Sequence, residues 1–301
     1  MPPRFTKFHG FGNDYIVIQS ADLASARVSE TSELSDFARR ICNRHYGAGA
    51  DGIAVVNPSE IDEADFHVRI FNPDGSEASL SGNGTRCAAA YLYFKNLWTA
   101  EQLRLSTRAG VKLYTLLDKT APGRFVFDSE LGQPKFDSKS IPMTTDEPLD
   151  KVIDYKLDVN GESFPVTALQ MGNPNCCLFV DDFDALDWRR LGKSIETDAR
   201  FPDRTNVVFV RVVNRQTIEL RIWERGVGET EASGTCSCAA AVAAMIKNET
   251  DRTVDVIMPG GRAKIRWRGE GDRGEVVITG SAEVIYDGDW LAGPEWTGLP
   301  A

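Results

Sequence analysis

At 301 residues, with the hydrophobic, charged and glycine content of an ordinary globular protein, the chain is long enough for two domains and a substantial core. A formal net charge of −10 argues against nucleic acid or an anionic membrane as the main partner. No apolar run approaches the roughly 20 residues of a membrane span, and the first residues, Met1-Pro2-Pro3-Arg4, lack the apolar core of a signal peptide. Six cysteines, at positions 42, 87, 176, 177, 236 and 238, follow no framework spacing, so they read as free thiols of a cytoplasmic protein.

Phe5 to Gln19 reads as a strand, a tight turn around Gly12-Asn13 and a second strand. Glu33 to Asn43 has the periodicity of a helix, and after the turn from Gly47 to Gly52 comes a buried strand, Ile53 to Val56. Phe66 to Phe71 is the next strand, Thr85 to Leu97 a helix, and Leu103 to Ser106 and Val111 to Leu117 further strands. From about Ala121 to Asp150 the composition turns polar and proline-bearing, which places the crossing between domains there. In the second half strands are predicted at Ser163 to Leu169, Cys176 to Val180, Asn206 to Val213 and Thr217 to Trp223. Helices are predicted at Trp188 to Ile195 and Cys236 to Lys247. Four strands then close the sheet, at Val254 to Met258, Ala263 to Trp267, Glu275 to Thr279 and Ala282 to Tyr286. Strands outnumber helices and the crossovers of a doubly wound parallel sheet are missing, so the class is α+β, with two mixed or antiparallel sheets each wrapped round an apolar helix.

The two halves repeat one unit. Arg69, Ile70, Glu77, Ser81 and Gly82 each find an identical residue 152 positions later, and Cys87 with the three alanines after it realigns at an offset of 151. Both copies read as a short apolar strand, a turn, a Ser-Gly step and a small-residue helix. Each Ser-Gly step precedes a helix start, where free N–H groups and the positive dipole end favour an anion. Two such ends facing each other would clamp one carboxylate from both sides. A single serine there would be an ordinary N-cap; a pair in a repeated context points to a shared site.

The turn His9-Gly10-Phe11-Gly12-Asn13-Asp14 resembles the amino-terminal signature of the diaminopimelate epimerase family. So do, in order along the chain, Phe71-Asn72-Pro73-Asp74-Gly75-Ser76-Glu77, Gly82-Asn83-Gly84-Thr85-Arg86-Cys87, Met171-Gly172-Asn173-Pro174 and Glu224-Arg225-Gly226-Val227-Gly228-Glu229-Thr230. The resemblance implies two pseudo-symmetric domains, each a barrel-like mixed or antiparallel sheet around a central helix. The first domain is expected over residues 1–125, completed by 287–301, and the second over 126–286. It also implies cofactor-free chemistry without a metal, in which two cysteines remove and return an α-proton on opposite faces of an amino acid. A thiol suits this because its unperturbed pKa of about 8.5 falls at a helix N-terminus. By the same resemblance Asn13, Asn72, Asn173, Asn206, Glu224 and Arg225 grip the amino and carboxyl groups of the substrate. Arg225 is the partner of its distal carboxylate, and Gly82-Asn83 with Gly234-Thr235 form the N–H cradle of the reacting one.

The chain departs from that pattern at the proton carriers. The family's first cysteine, immediately before Gly-Asn-Gly, is Ser81 here, and its second, before Gly-Thr, is Ser233. The histidine that follows Gly-Asn-Pro in the family is Asn175. No base is evident beside either serine, and a hydroxyl needs one to carry a proton. Cys236, three residues after Ser233, is weighed as a substitute acid–base group and read as a packed residue. The expected activity is epimerisation of LL- to meso-diaminopimelate with Ser81 and Ser233 at the acid–base positions. Another isomerase or lyase with a different proton carrier, and a silent amino-acid-binding paralogue, are the alternatives. The expected partner is a small amino acid, with a homodimer left open. Zinc-type spacing, a P-loop and a Ser-His-Asp triad are each unsupported.

Overall fold

The computed structural model describes residues 2–26 and 28–291. The chain divides into two compact units, Met1–Phe125 with Ser281–Ala301, and Val126–Gly280. The first unit contains β1 (Arg4–Gly10), β2 (Asn13–Gln19), α1 (Ser20–Ser25), α2 (Thr31–Ile41), β3 (Gly52–Pro58), β4 (Phe66–Phe71), β5 (Glu77–Ala78), α3 (Gly82–Phe94), β6 (Gln102–Thr107) and β7 (Gly110–Asp118). The chain leaves it along β8 (Arg124–Gly132). The second unit contains β9 (Val152–Val159), β10 (Glu162–Met171), β11 (Asn173–Phe179), α4 (Trp188–Glu196), β12 (Asn206–Asn214), β13 (Thr217–Glu224), β14 (Gly228–Thr230), α5 (Gly234–Ile246), β15 (Thr253–Met258) and β16 (Gly261–Trp267). The long strand β17 (Val276–Asp289) carries the chain back.

The repeat seen in the sequence is a repeat of strand register. β2 pairs parallel with β3 through Tyr15 and Gly52, and β11 pairs parallel with β12 through Asn175 and Asn206. Antiparallel β3 and β4 match Ile53 to Phe71, while β12 and β13 match Val207 to Trp223. Parallel β4 and β6 match Phe66 to Leu105, and β13 and β15 match Ile218 to Val256. Each unit is therefore a mixed sheet, and in each it wraps a central helix: α3 touches β1, β2, β3, β4 and β6, and α5 touches β10 to β13, β15 and β16. A helix enclosed this way is apolar on all sides. Residues Asn83 to Tyr93 of α3 and Cys236 to Met245 of α5 are buried, and the runs Cys87-Ala88-Ala89-Ala90 and Cys238-Ala239-Ala240-Ala241 keep the helix slim enough for the sheet to close on it.

The outer faces of the sheets are covered by the amphipathic helices. In the first unit Leu34, Phe37, Ala38 and Ile41 of α2 lie on Ile16, Ile18, Ile53, Val55 and Phe71. In the second, Trp188, Leu191 and Ile195 of α4 lie on Leu157, Leu178, Val207 and Phe209. Strands covered on both faces read as continuous apolar runs, as β2 and β12 do. The start of α2 is a capping box, Glu33 accepting from the backbone N–H of Glu30 at 2.9 Å.

Several details differ from the expectations, among them β8, which occupies part of the stretch expected to be the crossing between domains, and the short elements α1, β5 and β14. The hairpin turn is Phe11-Gly12, both at positive φ, and Asn13 already opens β2. β9, not anticipated, pairs antiparallel with β10. The two strands expected from Glu275 and Ala282 are one continuous strand, β17, which runs through Gly280-Ser281.

Candidate active site

In the first unit the site residues are wired together by a chain of buried polar contacts. Asp51 accepts from Asn13 Nδ2 at 2.7 Å and from the Asp14 N–H at 3.0 Å. Asn13 Oδ1 in turn accepts from Asn83 Nδ2 at 3.2 Å, and Asn83 Oδ1 accepts from Arg86. Arg86, 1 % exposed, also donates to the Ser281 carbonyl at 3.0 Å and lies 4.7 Å from the centre of the Phe11 ring. That stacking helps to hold Phe11 at its positive φ, a conformation a bulky residue seldom adopts. Behind the turn, Asp14 is gripped by Lys7 at 2.8 Å and by Arg44 at 2.9 and 3.2 Å. Burial alone would raise the Asp14 pKa, but the hydrogen bonds and charges of Arg44 and Lys7 outweigh it and hold the carboxyl below its ordinary value.

Ser81 is the N-cap of α3, its Oγ accepting from the Gly84 N–H at 3.1 Å. The same oxygen accepts from Tyr15 Oη at 2.9 Å. Gly82 opens the helix in free space, since a Cβ there would meet nothing within 4 Å. Asn72 sits apart from this group, in a turn where its Nδ2 donates to Ser76 Oγ at 2.9 Å.

In the second unit Asn175 is completely buried and holds two predicted binding residues. Its Nδ2 donates to the Asn173 carbonyl at 2.7 Å and to Asn173 Oδ1 at 3.2 Å, and its Oδ1 accepts from Asn206 Nδ2 at 3.1 Å. Asn206 Oδ1 then accepts from the Arg225 N–H at 2.9 Å. Arg225 is exposed and donates through Nη1 to the Asp203 carbonyl at 3.0 Å. Ser233 is the N-cap of α5, but its side chain makes no cap hydrogen bond and lies 3.5 Å from Thr235 Oγ1.

The expectation that neither serine has a base beside it is corrected here. Glu224 takes a hydrogen bond from Thr230 Oγ1 at 2.8 Å and has Ser233 as a hydrogen-bonding neighbour. Burial raises the Glu224 pKa, and the Thr230 and Ser233 hydroxyls pull against that rise. Cys236 is fully buried, and burial, with the Glu224 charge second, pushes its thiol well above its ordinary pKa. It is a packed residue, not an activated thiol.

Four positioning residues escaped the sequence reading. Arg86 had a signal, as the one charged residue in an otherwise apolar helix. Asp51 and Tyr15 gave none beyond a turn and a strand. Glu196, at the end of α4, accepts from the Gly226 N–H at 2.7 Å and from Trp223 Nε1 at 2.8 Å, so it fixes the turn that carries Glu224 and Arg225. Among the described residues no cluster of three or more His, Cys, Asp or Glu is placed to hold a metal ion, and no helix is long and apolar enough to cross a membrane.

Comparison with solved structures first defines the architecture. A phenazine biosynthesis protein of the PhzF family from Bacillus anthracis superposes with a TM-score of 0.69 at 18 % identity, over 97 % of this chain and 100 % of that one. The fold is thus the α+β one of paired barrel-like sheets around central helices. The family follows from sequence: the diaminopimelate epimerase model matches residues 5–136 and 167–285. The diaminopimelate epimerase of Pelotomaculum thermopropionicum is 41 % identical over 95 % of this chain and 98 % of its own length. That of Desulforudis audaxviator is 40 % identical over 95 % and 99 %. The chain belongs to the diaminopimelate epimerase family.

Proposed function

We propose that this protein is a cofactor-independent amino-acid epimerase that interconverts LL- and meso-diaminopimelate, a step of lysine and peptidoglycan-precursor synthesis, with Ser81 and Ser233 at the acid–base positions. The observation that carries the reading is the matched pair of helix starts. Each unit presents a serine at the N-cap of a buried 13-residue helix and carries asparagines whose amides are oriented by neighbours. Open N–H groups at Gly82-Asn83 and Gly234-Thr235 suit the reacting carboxylate, Glu224 suits an ammonium group, and the exposed guanidinium of Arg225 suits the distal carboxylate. We assign Asn13, Asn173 and Asn206 to the rest of the grip, and Asn72 to it by its place in the family motif alone. We read each compact unit as one epimerase-like domain. A cytoplasmic setting and a homodimer belong to the same proposal, and the charge of −10 argues against nucleic acid as the main partner.

Deuterium uptake at the α-carbon tests it. Offered either epimer in D2O, the unmodified protein is expected to incorporate deuterium with inversion, followed by NMR. Measurable binding of diaminopimelate without exchange at either face overturns the reading. That outcome favours an amino-acid-binding role, for which the hydroxyls at both carrier positions and the locked amide of Asn175 are the supporting observations.

A further inference from the structure

A serine in place of a thiol leaves the proton carrier far too weak an acid, and the first unit contains a group that answers this. Tyr15 Oη donates to Ser81 Oγ at 2.9 Å, and the Gly84 N–H donates to the same oxygen at 3.1 Å. Two donors occupy both lone pairs of the hydroxyl oxygen. The Ser81 hydrogen is then turned away from both, free to meet a ligand. The phenol ring has a purpose-made seat. A Cβ at Gly52 would lie 2.7 Å from Tyr15 Cε1, and one at Gly84 would lie 2.8 Å from it, so any larger residue at either position would evict the ring. This arrangement is not a general feature of the repeat. The register partners Tyr15 and Gly52 correspond to Asn175 and Asn206 in the second unit, where two amides bond to each other.

We infer that Tyr15 is the proton store of Ser81, a positioning residue that keeps the Ser81 hydroxyl charged with a transferable proton. The inference rests on the reading above, in which Ser81 handles the α-proton. A phenol is a far stronger acid than an alcohol, so the hydrogen bond from Tyr15 places an acidic proton one transfer away from the Ser81 oxygen. The electron pair of the α-carbanion forms the new C–H bond as the Ser81 O–H bond breaks, and the Tyr15 proton moves onto the Ser81 oxygen. The negative charge ends on the Tyr15 phenolate. The reverse direction returns it, and after product release water re-protonates the pair through Ser81, which is partly exposed.

The test is a cycle of Tyr15→Phe and Ser81→Cys, measured as α-proton exchange and inversion in D2O with LL- and meso-diaminopimelate. Tyr15→Phe removes one oxygen from a ring whose seat is unchanged, and thermal unfolding verifies that it folds. Alone it is expected to lower inversion by about 100-fold or more, the usual contribution of a proton-transfer group. In the Ser81→Cys background, where the thiol carries its own proton, the same substitution is expected to cost at least tenfold less. An equal loss in both backgrounds assigns Tyr15 a purely structural role and overturns the inference. So does undiminished inversion by Tyr15→Phe, with the epimerase reading left standing. If neither the unmodified protein nor Ser81→Cys exchanges either epimer, the epimerase reading itself fails and takes the inference with it.

Discussion

Glu196→Gln looks conservative and is expected not to be. Both carboxylate oxygens of Glu196 are acceptors: Oε1 for the Gly226 N–H and, at 3.4 Å, for Arg204 Nη1, and Oε2 for the Trp223 indole N–H. The residue is 6 % exposed, so water cannot step in freely. An amide has one acceptor and one donor end. Whichever way it turns, one bond survives as a weaker neutral one and the other becomes donor against donor. A hydrogen bond to a charged group is worth about 1.5–3 kcal/mol, and an unsatisfied buried donor costs about 1–3 kcal/mol. A loss of about 2 kcal/mol is therefore expected, or roughly 4–8 °C in Tm for a domain of this size. Urea denaturation gives the free energy directly, and calorimetric titration with diaminopimelate is expected to show weaker binding, because the freed turn carries Glu224 and Arg225. A Glu196→Gln protein within about 0.5 kcal/mol of the parent, the ordinary range of surface changes, would refute the claim that this carboxylate pins the turn.

Asp14 makes stability depend on acid pH. Its folded-state pKa lies below its unfolded value, so the stabilisation is fully present above about pH 4 and drains away as pH falls through the folded pKa. Asp14→Asn is expected to be destabilised at pH 7, by about 1.5–3 kcal/mol for the charged hydrogen bonds lost, and the gap to the parent is expected to close below pH 4 in urea melts; a constant gap contradicts this. Gly47→Ala is expected to destabilise severely, since its Cβ would fall 2.3 Å from the Arg40 carbonyl oxygen and 2.5 Å from that of Ile41, both backbone atoms that cannot step aside; an unchanged Tm would show the turn to be more pliant. The native thiols are expected to be inert to iodoacetamide until the protein unfolds. All six cysteines are buried, and burial pushes Cys42 and Cys87 to about 12 and Cys176, Cys177 and Cys236 up as well. Alkylation detected by mass spectrometry in the folded state would contradict it.

What the sequence made legible was whatever recurs locally or at a fixed offset. The 152-residue repeat carried the register of β4 and β13 and both serine N-caps, because a strand, a turn and a helix start are each written in neighbouring residues. The partners of those serines are another matter. Tyr15 sits in the run Asp14-Tyr15-Ile16-Val17-Ile18, where an aromatic residue is ordinary strand material, and its hydroxyl finds Ser81 only after 66 residues of chain have folded back. Glu196 closes an amphipathic helix and reaches a turn 30 residues on. β9 does carry the alternation of a strand with one exposed face, in Asp154, Lys156 and Asp158 between apolar residues, but the polar, proline-bearing stretch directly before it masks its start. Long-range polar contacts have no period, so no pattern announces them.

The two serine positions, alike in sequence, differ in their electrostatics, and thiols introduced there are expected to report the difference. Ser81 stands at the start of α3 with the Gly84 N–H and the Tyr15 hydroxyl both donating to its oxygen. A thiolate formed by Ser81→Cys would inherit those donors and the helix dipole, which lowers its pKa. Ser233 also stands at a helix start, but its side chain receives no cap hydrogen bond, is 7 % exposed, and has the Glu224 carboxyl as neighbour. Burial and a like charge both raise the pKa of a thiol made by Ser233→Cys and oppose the dipole. Because the native cysteines are silent, the iodoacetamide rate of each variant as a function of pH reads the introduced group alone. The inflection for Ser81→Cys is expected below the unperturbed value of about 8.5, and that for Ser233→Cys above it. Coincident inflections, or the reverse order, would mean that the helix termini dominate and that Glu224 does not govern its serine. If the order holds, the thiol at 81 is the stronger acid of the two, in keeping with a proton source at that position.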